Sequence, residues 1–309
     1  MNIPFKIFVI IHHLFNRSHL MQAISHADRA TILTEALPYI RQYHNKIVVV
    51  KYGGAAMLNE QLKRQVMGDI ALLHLVGVRV VLVHGGGPEI NDLLNRVGKK
   101  SEFINGLRVT DKETVDIVQM VLAGKVNKGL VALMESFGSH AIGLSGLDGQ
   151  MILATQLDPQ LGFVGEIQSI DPTPITTVLQ NDYIPIISTL GCDAQGNVYN
   201  INADTAAAKI AGALGAESLM LMSDIPGLLR DVKDESSLIR RVNANEIDDL
   251  AAQGVISGGM LPKLDCCREA LRCGVKKVFI LDGRVEHSIL IELLTDAGIG
   301  TMVSQGAKR

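Results

Sequence analysis

The chain has no tryptophan, and aromatic residues fill only 4% of its 309 positions. Its core must therefore be packed from aliphatic side chains, which suits sheets layered with helices. Cysteine is scarce as well. Cys192, Cys266, Cys267 and Cys273 all lie in the C-terminal half and two are adjacent, which fits neither a disulfide framework nor a spaced zinc site. A reducing, cytoplasmic setting is expected, with Cys266, Cys267 and Cys273 read as small apolar residues of one helix. The formal net charge is −3 and no basic stripe is interleaved with aromatics, so no nucleic-acid partner is expected. The apolar run Ile7-Phe8-Val9-Ile10-Ile11 is too short to cross a membrane. It also lacks the small-residue cleavage site of a signal peptide. Residues 1–20 therefore read as a loose tail or an overlong start before Met21, and no membrane span is read elsewhere. Two phosphate motifs are missing too: there is no G-x-x-x-x-G-K-[ST] loop, and no G-x-G-x-x-G opens a helix. The usual nucleotide and dinucleotide readings lose their main support.

What is present is a pair of glycine corners, each directly after a β-branched run. Ile47-Val48-Val49-Val50-Lys51 leads into Tyr52-Gly53-Gly54, and Val80-Val81-Leu82-Val83-His84 leads into Gly85-Gly86-Gly87-Pro88. Each reads as a buried parallel strand whose end exposes backbone N–H groups beside a helix N-terminus, a geometry suited to anions. Strands predicted at 46–51, 78–84, 140–144, 151–154, 163–167, 183–188, 198–201, 218–222 and 277–281 alternate with helices. The helices are predicted at 60–76, from Pro88, at 111–120, 124–137, 203–213, 259–273 and 287–294. The alternation implies an α/β fold with an open, mainly parallel sheet sandwiched between helices. The shorter strands between 151 and 201 are expected as antiparallel hairpins at an edge. Ile32, Leu33, Ala36, Leu37 and Ile40 recur at helical spacing before the first strand, and Pro38 should kink that helix. It either packs on its own domain or projects to pair with another subunit.

Lys51 ends an apolar strand, so its ammonium should emerge at the carboxyl edge of the sheet, where open α/β folds bind ligands. There it can neutralise charge on a transferring phosphoryl group; the plain alternative is a solvated strand-end lysine. Lys263, in Gly258-Gly259-Met260-Leu261-Pro262-Lys263, puts a second cation near a helix start, which hints at a shared anion. In Asn200-Ile201-Asn202-Ala203-Asp204, either Asn202 or Asp204 can be an N-cap. The functional reading has Asp204 holding the two lysines and Asn200 touching substrate. Arg108, in Gly106-Leu107-Arg108-Val109-Thr110-Asp111, can clamp a carboxylate through paired hydrogen bonds. His84 is read as hydrogen-bonded structure, since a carboxylate nucleophile needs no general base. No metal-ligating cluster is legible.

In order along the chain, these strings closely resemble those of the acetylglutamate kinases in the amino acid kinase family, over about residues 28–302. The resemblance implies ATP-dependent phosphorylation of the side-chain carboxylate of N-acetyl-L-glutamate, a step of arginine synthesis. It implies that Lys51 and Lys263 stabilise the transferred group, Gly54 and Gly87 donate N–H groups to it, and Asp204 orients both lysines. Gly86, Gly87, Arg108 and Asn200 would hold the acetylglutamate. Lys51, Ser223, Asp224 and Lys263 would contact ATP, with Mg²⁺ riding mostly on its phosphates. The implied layout is a tail over 1–25, an interaction helix over 26–45, a substrate lobe over 46–214 and a nucleotide lobe over 215–309.

The kinked helix and the string from Asp282 to Thr301 resemble the arginine-inhibited forms of the family. These imply a homohexamer, a trimer of dimers, and feedback inhibition by L-arginine bound near Tyr39, His287, Glu292, Gly298 and Gly300. Ala55-Ala56-Met57 and Cys266-Cys267 resemble cyanobacterial and plastid forms, where the nitrogen-signalling PII protein relieves inhibition. An organellar chain would work in the plastid stroma. The rival expectations are a carbamate, aspartate or glutamate kinase, or a non-catalytic arginine sensor.

Overall fold

The computed structural model describes residues 25–256 and 259–306. The expectations for residues 1–20 and for Gly258 lie outside the described residues. Helix α1 (His26–Glu35) starts at a capping box in which Ser25 and Asp28 satisfy each other's backbone N–H groups. The chain bends at Ala36 into α2 (Leu37–Tyr43), with Pro38 in its first turn. Proline is tolerated there because that N–H has no helical partner. The expected bend is present and falls at Ala36, just before the proline, with Ala36 N–H donating to the Ile32 carbonyl and Ile40 N–H to the Ala36 carbonyl across it.

Strand β1 (Ile47–Tyr52) is followed by α3 (Ala55–Leu58), α4 (Glu60–Leu75), β2 (Arg79–His84) and α5 (Gly87–Arg96). A hairpin of β3 (Phe103–Ile104) and β4 (Leu107–Arg108) turns at Asn105 and Gly106, both at positive φ. Next comes α6 (Lys112–Ser136), an unbroken helix whose middle, Met120–Val126, is π-helical. Two helices were expected here, divided near Gly124. The wider π turns instead carry the chain through, and Val121, Leu122, Val126 and Leu130 stay buried along one side. By length and composition α6 is apolar enough to cross a membrane, yet it packs its buried side into the protein core.

The remaining elements are β5 (Ala141–Ser145), β6 (Ile152–Gln156), β7 (Gly165–Ile170), α7 (Thr173–Gln180), β8 (Ile184–Ser188), β9 (Leu190–Cys192), β10 (Val198–Asn200) and α8 (Ala203–Ala213). Then follow β11 (Ser218–Ser223), β12 (Arg241–Asn243), α9 (Ile247–Ala252), α10 (Met260–Arg272), β13 (Lys277–Asp282), α11 (Ser288–Leu294) and β14 (Thr301–Ser304). The main sheet has the order β12-β14-β13-β11-β1-β2-β8-β5. Its pairings are parallel except β13 with β14. Of the expected antiparallel pairs, β6 with β7 and β9 with β10 are present, and the rest of that expectation is corrected in two ways. β8 joins the main sheet between β2 and β5, because every residue of Ile184–Ser188 is buried, as an inner parallel strand requires. β10, β9, β6 and β7 form a separate four-stranded sheet, in which β6 and β9 pair in parallel.

Two apolar clusters cover the two faces of the main sheet. Val48, Val50, Tyr52, Leu82 and Met220 face α4, α6 and α11, while Val49, Val81, Leu219 and Leu221 face α8 and α10. The alternation along β1 is the period of two expected of a strand covered on both sides. Each cluster draws residues from before and after 214, and β1 pairs with both β2 and β11.

Candidate functional site

The carboxyl ends of β1 and β2 and the first turns of α8 and α10 converge. Asn202 caps α8 by accepting from the backbone N–H groups of Asp204 and Thr205. That leaves the Asp204 carboxylate free for other partners. Its Oδ2 accepts from Lys263 Nζ at 2.5 Å, and its Oδ1 lies 3.0 Å from Lys51 Nζ. The Lys51 contact is an ion pair, and Lys51 also reaches the Met222 carbonyl at 3.5 Å. Burial alone would push the Asp204 carboxyl up, but the ammonium groups of Lys51 and Lys263 overcome it and hold it at about 2. Lys51 and Lys263 thus share one carboxylate beside the glycine corner.

Gly54 has φ +71°, a conformation that favours glycine, and a Cβ there would meet the Asp224 carboxylate. This contact brings Asp224, just past the end of β11, to the Lys51 corner. Ser223 ends the same strand, its carbonyl accepting from Gly283 N–H at 2.8 Å. The donor set of two ammonium groups and open glycine backbone fits a phosphate chain. Among the described residues no group of three or more His, Cys, Asp or Glu side chains is placed to hold a metal ion.

Beside this corner lies a cleft of about 600 Å³ lined by Gly85, Gly86, Gly87, Arg108, Asn200, Asn202 and Ala203, among others. Nothing lies within 4 Å of where a Gly87 Cβ would be, so that position faces open cleft. Arg108 is 7% exposed. Its Nη1 donates to Ser101 Oγ at 2.5 Å, its Nη2 to the Gly87 carbonyl at 3.4 Å, and its guanidinium stacks 4.8 Å from the Phe103 ring centroid. It has no carboxylate partner among the described residues. Asn200 Nδ2 donates to Thr110 Oγ1 at 3.5 Å. Ser101 and Phe103, which steady Arg108, belong to no sequence motif; only the adjacent hairpin places them.

His84 is fully buried, with Nδ1 2.8 Å from the Gly85 carbonyl and Nε2 3.1 Å from Asn127 Nδ2. Burial pushes its pKa down to about 4, so the ring is neutral near pH 7. Cys266 lies 3.8 Å from Thr205 Oγ1, and burial raises its thiol.

A second cleft of about 770 Å³ opens between α2 and the C-terminal segment. Tyr39, Glu292, Gly298 and Gly300 line it together with Arg240, Lys277 and Asp296. Glu292 Oε2 accepts from the N–H groups of Ile299 and Gly300 at 2.8 and 3.1 Å. A hydrogen bond to Asp296 raises the Tyr39 phenol. His287 does not line this cleft. Its Nδ1 lies 2.6 Å from Oδ1 of Asp69, a carboxyl raised by burial in spite of that contact.

Comparison with known proteins agrees with this geometry. The amino acid kinase family matches residues 46–282. The acetylglutamate kinase of Brachyspira hyodysenteriae is 55% identical over 284 residues, covering 91% of this chain and 99% of that protein. The acetylglutamate kinase of Synechococcus elongatus is 51% identical, covering 90% and 92%. Among solved structures, N-acetylglutamate synthase of Neisseria gonorrhoeae complexed with coenzyme A and N-acetyl-glutamate superposes with TM-score 0.79 at 28% identity. That match covers 90% of this chain and 64% of the synthase. The same synthase complexed with coenzyme A and L-arginine gives 0.75 at 26% identity, covering 90% and 66%. By its sequence, its sheet and its kinase relatives, the chain belongs to the amino acid kinase family.

Proposed function

We propose that the chain transfers the γ-phosphoryl group of ATP to the side-chain carboxylate of N-acetyl-L-glutamate, forming an acyl phosphate for arginine synthesis. The observation that carries this reading is the Lys51–Asp204–Lys263 bridge beside a cleft that holds a buried arginine with no carboxylate partner among the described residues. Moving a phosphoryl group between two anions calls for positioning and charge stabilisation. Lys51 and Lys263 supply the charge, Asp204 keeps both ammonium groups in place, and Gly54 and Gly87 offer N–H donors. Each such donor is worth roughly 2.7–4 kcal/mol in the transition state. Arg108 pairs with the α-carboxylate, Asn200 and Gly86 hold the rest of the substrate, and Ser223 and Asp224 border the nucleotide. Magnesium on the ATP phosphates adds charge neutralisation when bound.

The reading extends to regulation: L-arginine binds in the second cleft and inhibits. Glu292 and Asp296 there suit a guanidinium, and Arg240 and Lys277 suit a carboxylate. Exposed Ile32, Leu33 and Leu37 on the N-terminal helices support a homohexamer built by pairing those helices, and a PII-type signalling protein is the proposed relieving partner. The working compartment is the cytoplasm, or the stroma for an organellar chain.

The test is acyl-phosphate formation with ATP and N-acetyl-L-glutamate, trapped with hydroxylamine, with and without L-arginine. Turnover that arginine suppresses is expected. Turnover only with aspartate, glutamate or carbamate would move the chain elsewhere in the family, and no turnover with arginine still bound would make it a sensor. Removing residues 21–45 should abolish both the hexamer and the inhibition; a truncated enzyme that keeps both would sink the regulatory reading.

A further inference from the structure

Beneath the glycine loop that lines the substrate cleft lies a buried polar chain that the phosphoryl-transfer chemistry does not use. His84 ends β2 with no exposed surface, and Asn127, 1% exposed, follows directly on the π-helical stretch of α6. Asn127 Nδ2 lies 2.8 Å from the Ile186 carbonyl, 3.2 Å from the Leu144 carbonyl and 3.1 Å from His84 Nε2. Two carbonyl oxygens can face only the NH₂ end of the amide, so the orientation of Asn127 is fixed by its surroundings. The two amide protons are shared among these three acceptors; the NH₂ group cannot accept from Nε2 and the Gly85 carbonyl can only accept from Nδ1, so Nε2 of His84 is unprotonated and the ring proton sits on Nδ1. That proton is donated to the Gly85 carbonyl at 2.8 Å.

The peptide joining Gly85 to Gly86 is trans and planar, so its N–H points opposite to its carbonyl. With the carbonyl held toward His84, the Gly86 N–H is directed away from the buried ring. Gly86 and Gly87 line the cleft. The space around Asn127 is closed as well: a Cβ on Gly143 would come within 1.9 Å of Asn127 Oδ1 and 2.6 Å of Lys128 Nζ.

We infer that Asn127 is a positioning residue for N-acetylglutamate, acting through the Nδ1–H tautomer of His84 to aim the Gly85–Gly86 peptide into the cleft. The inference rests on the proposed substrate role of Gly86 and Gly87. Lys128, on α6, is the charged group acting on His84, and it too disfavours a charged ring. Tyr52 on β1 and Ser188 on β8 are its neighbours in register.

Steady-state kinetics of the full chain test this. Asn127→Leu removes the donor, and kcat/KM for N-acetylglutamate should fall about 10- to 100-fold, with KM for ATP within about twofold. Asn127→Asp supplies an acceptor where Nε2 needs a donor, so Nδ1 keeps its proton only when the imidazole is doubly protonated. Activity of that variant should decline as pH rises and the coupled carboxyl–His84 pair loses its proton, a limb that wild type lacks near pH 7 because its His84 is already neutral there. Gly143→Ala presses on the amide from the far side and should show the same kinetic pattern, and it is the fallback if Asn127→Leu does not fold. A folded Asn127→Leu with wild-type kcat/KM, or a pH-independent loss in Asn127→Asp, would overturn the inference. Absence of wild-type turnover with N-acetylglutamate would instead remove the proposed function on which it rests.

Discussion

Lys51 and Lys263 share one carboxylate, and this arrangement sets what single substitutions should do. Lys51→Ala and Lys263→Ala should each lower kcat about 10²- to 10³-fold, read by the hydroxylamine assay, because each removes one charge from the phosphoryl site. Asp204 carries a pH signature. Its carboxyl titrates at about 2 when folded and near 3.9 unfolded, so the unfolded state binds the proton more readily. The ionised group therefore contributes roughly 2 kcal/mol of stability above about pH 4, and this is lost as pH falls toward 2. Chemical denaturation between those pH values should show the loss in wild type and a shallower dependence in Asp204→Asn. Arg108→Lys keeps the charge but loses the planar fork. KM for N-acetylglutamate should rise about tenfold, a free-energy change of about 1.4 kcal/mol, while KM for ATP stays unchanged.

Among the labelled helices of the described residues, α1 stands apart because none of its residues is buried. A helix of ten residues is marginal on its own in water, and its apolar side chains Ile32 and Leu33 are 54% and 71% exposed. Its capping box stabilises the first turn but does nothing for that face. If the proposed pairing of these helices holds, Leu33→Glu should lower the mass seen by sedimentation and weaken the proposed arginine inhibition, with kcat unchanged because Leu33 does not line the cleft beside Lys51. An unchanged mass would show that this face is not where copies meet. The π-helical middle of α6 is the other unusual element. It lies where the helix lines the cleft with Leu122 and turns Asn127 inward beneath the glycine loop.

For the molecule as a whole, the sheet runs without a break from β12 to β5, and both apolar clusters span the two sequence halves. Unfolding of the protomer should then be cooperative across the halves, with fluorescence and circular dichroism transitions coinciding. Leu82→Ala, in the middle of β2 and fully buried, should cost about 2–5 kcal/mol by the cavity it leaves. Both probes should shift together.

Local patterning was enough to find most of the layers. The β-branched runs of β1 and β2 read as buried strands, helix 203–213 matches α8 (Ala203–Ala213), and 259–273 lies within a residue of α10 at each end. Elements with weak local signals were not legible. β12 and β14 are short and carry polar residues, and α7 is built from Thr173-Pro174-Ile175-Thr176-Thr177-Val178, whose β-branched side chains favour strands. The glycine corners, Lys51, Arg108 and Asp204 stood out by residue type and position. Ser101, Phe103 and Asn127 did not, since a lone polar or aromatic residue has no distinctive spacing.

The sequence by itself determined the longer buried strands, the two glycine corners and which charged residues were available, because dihedral preference and apolar period are local properties. Only the tertiary structure decided that β11 lies next to β1, that Asn202 rather than Asp204 caps α8, and that His287 turns to Asp69 instead of the second cleft. Those outcomes depend on strand order and on competition between side chains distant along the chain, and no local period encodes either.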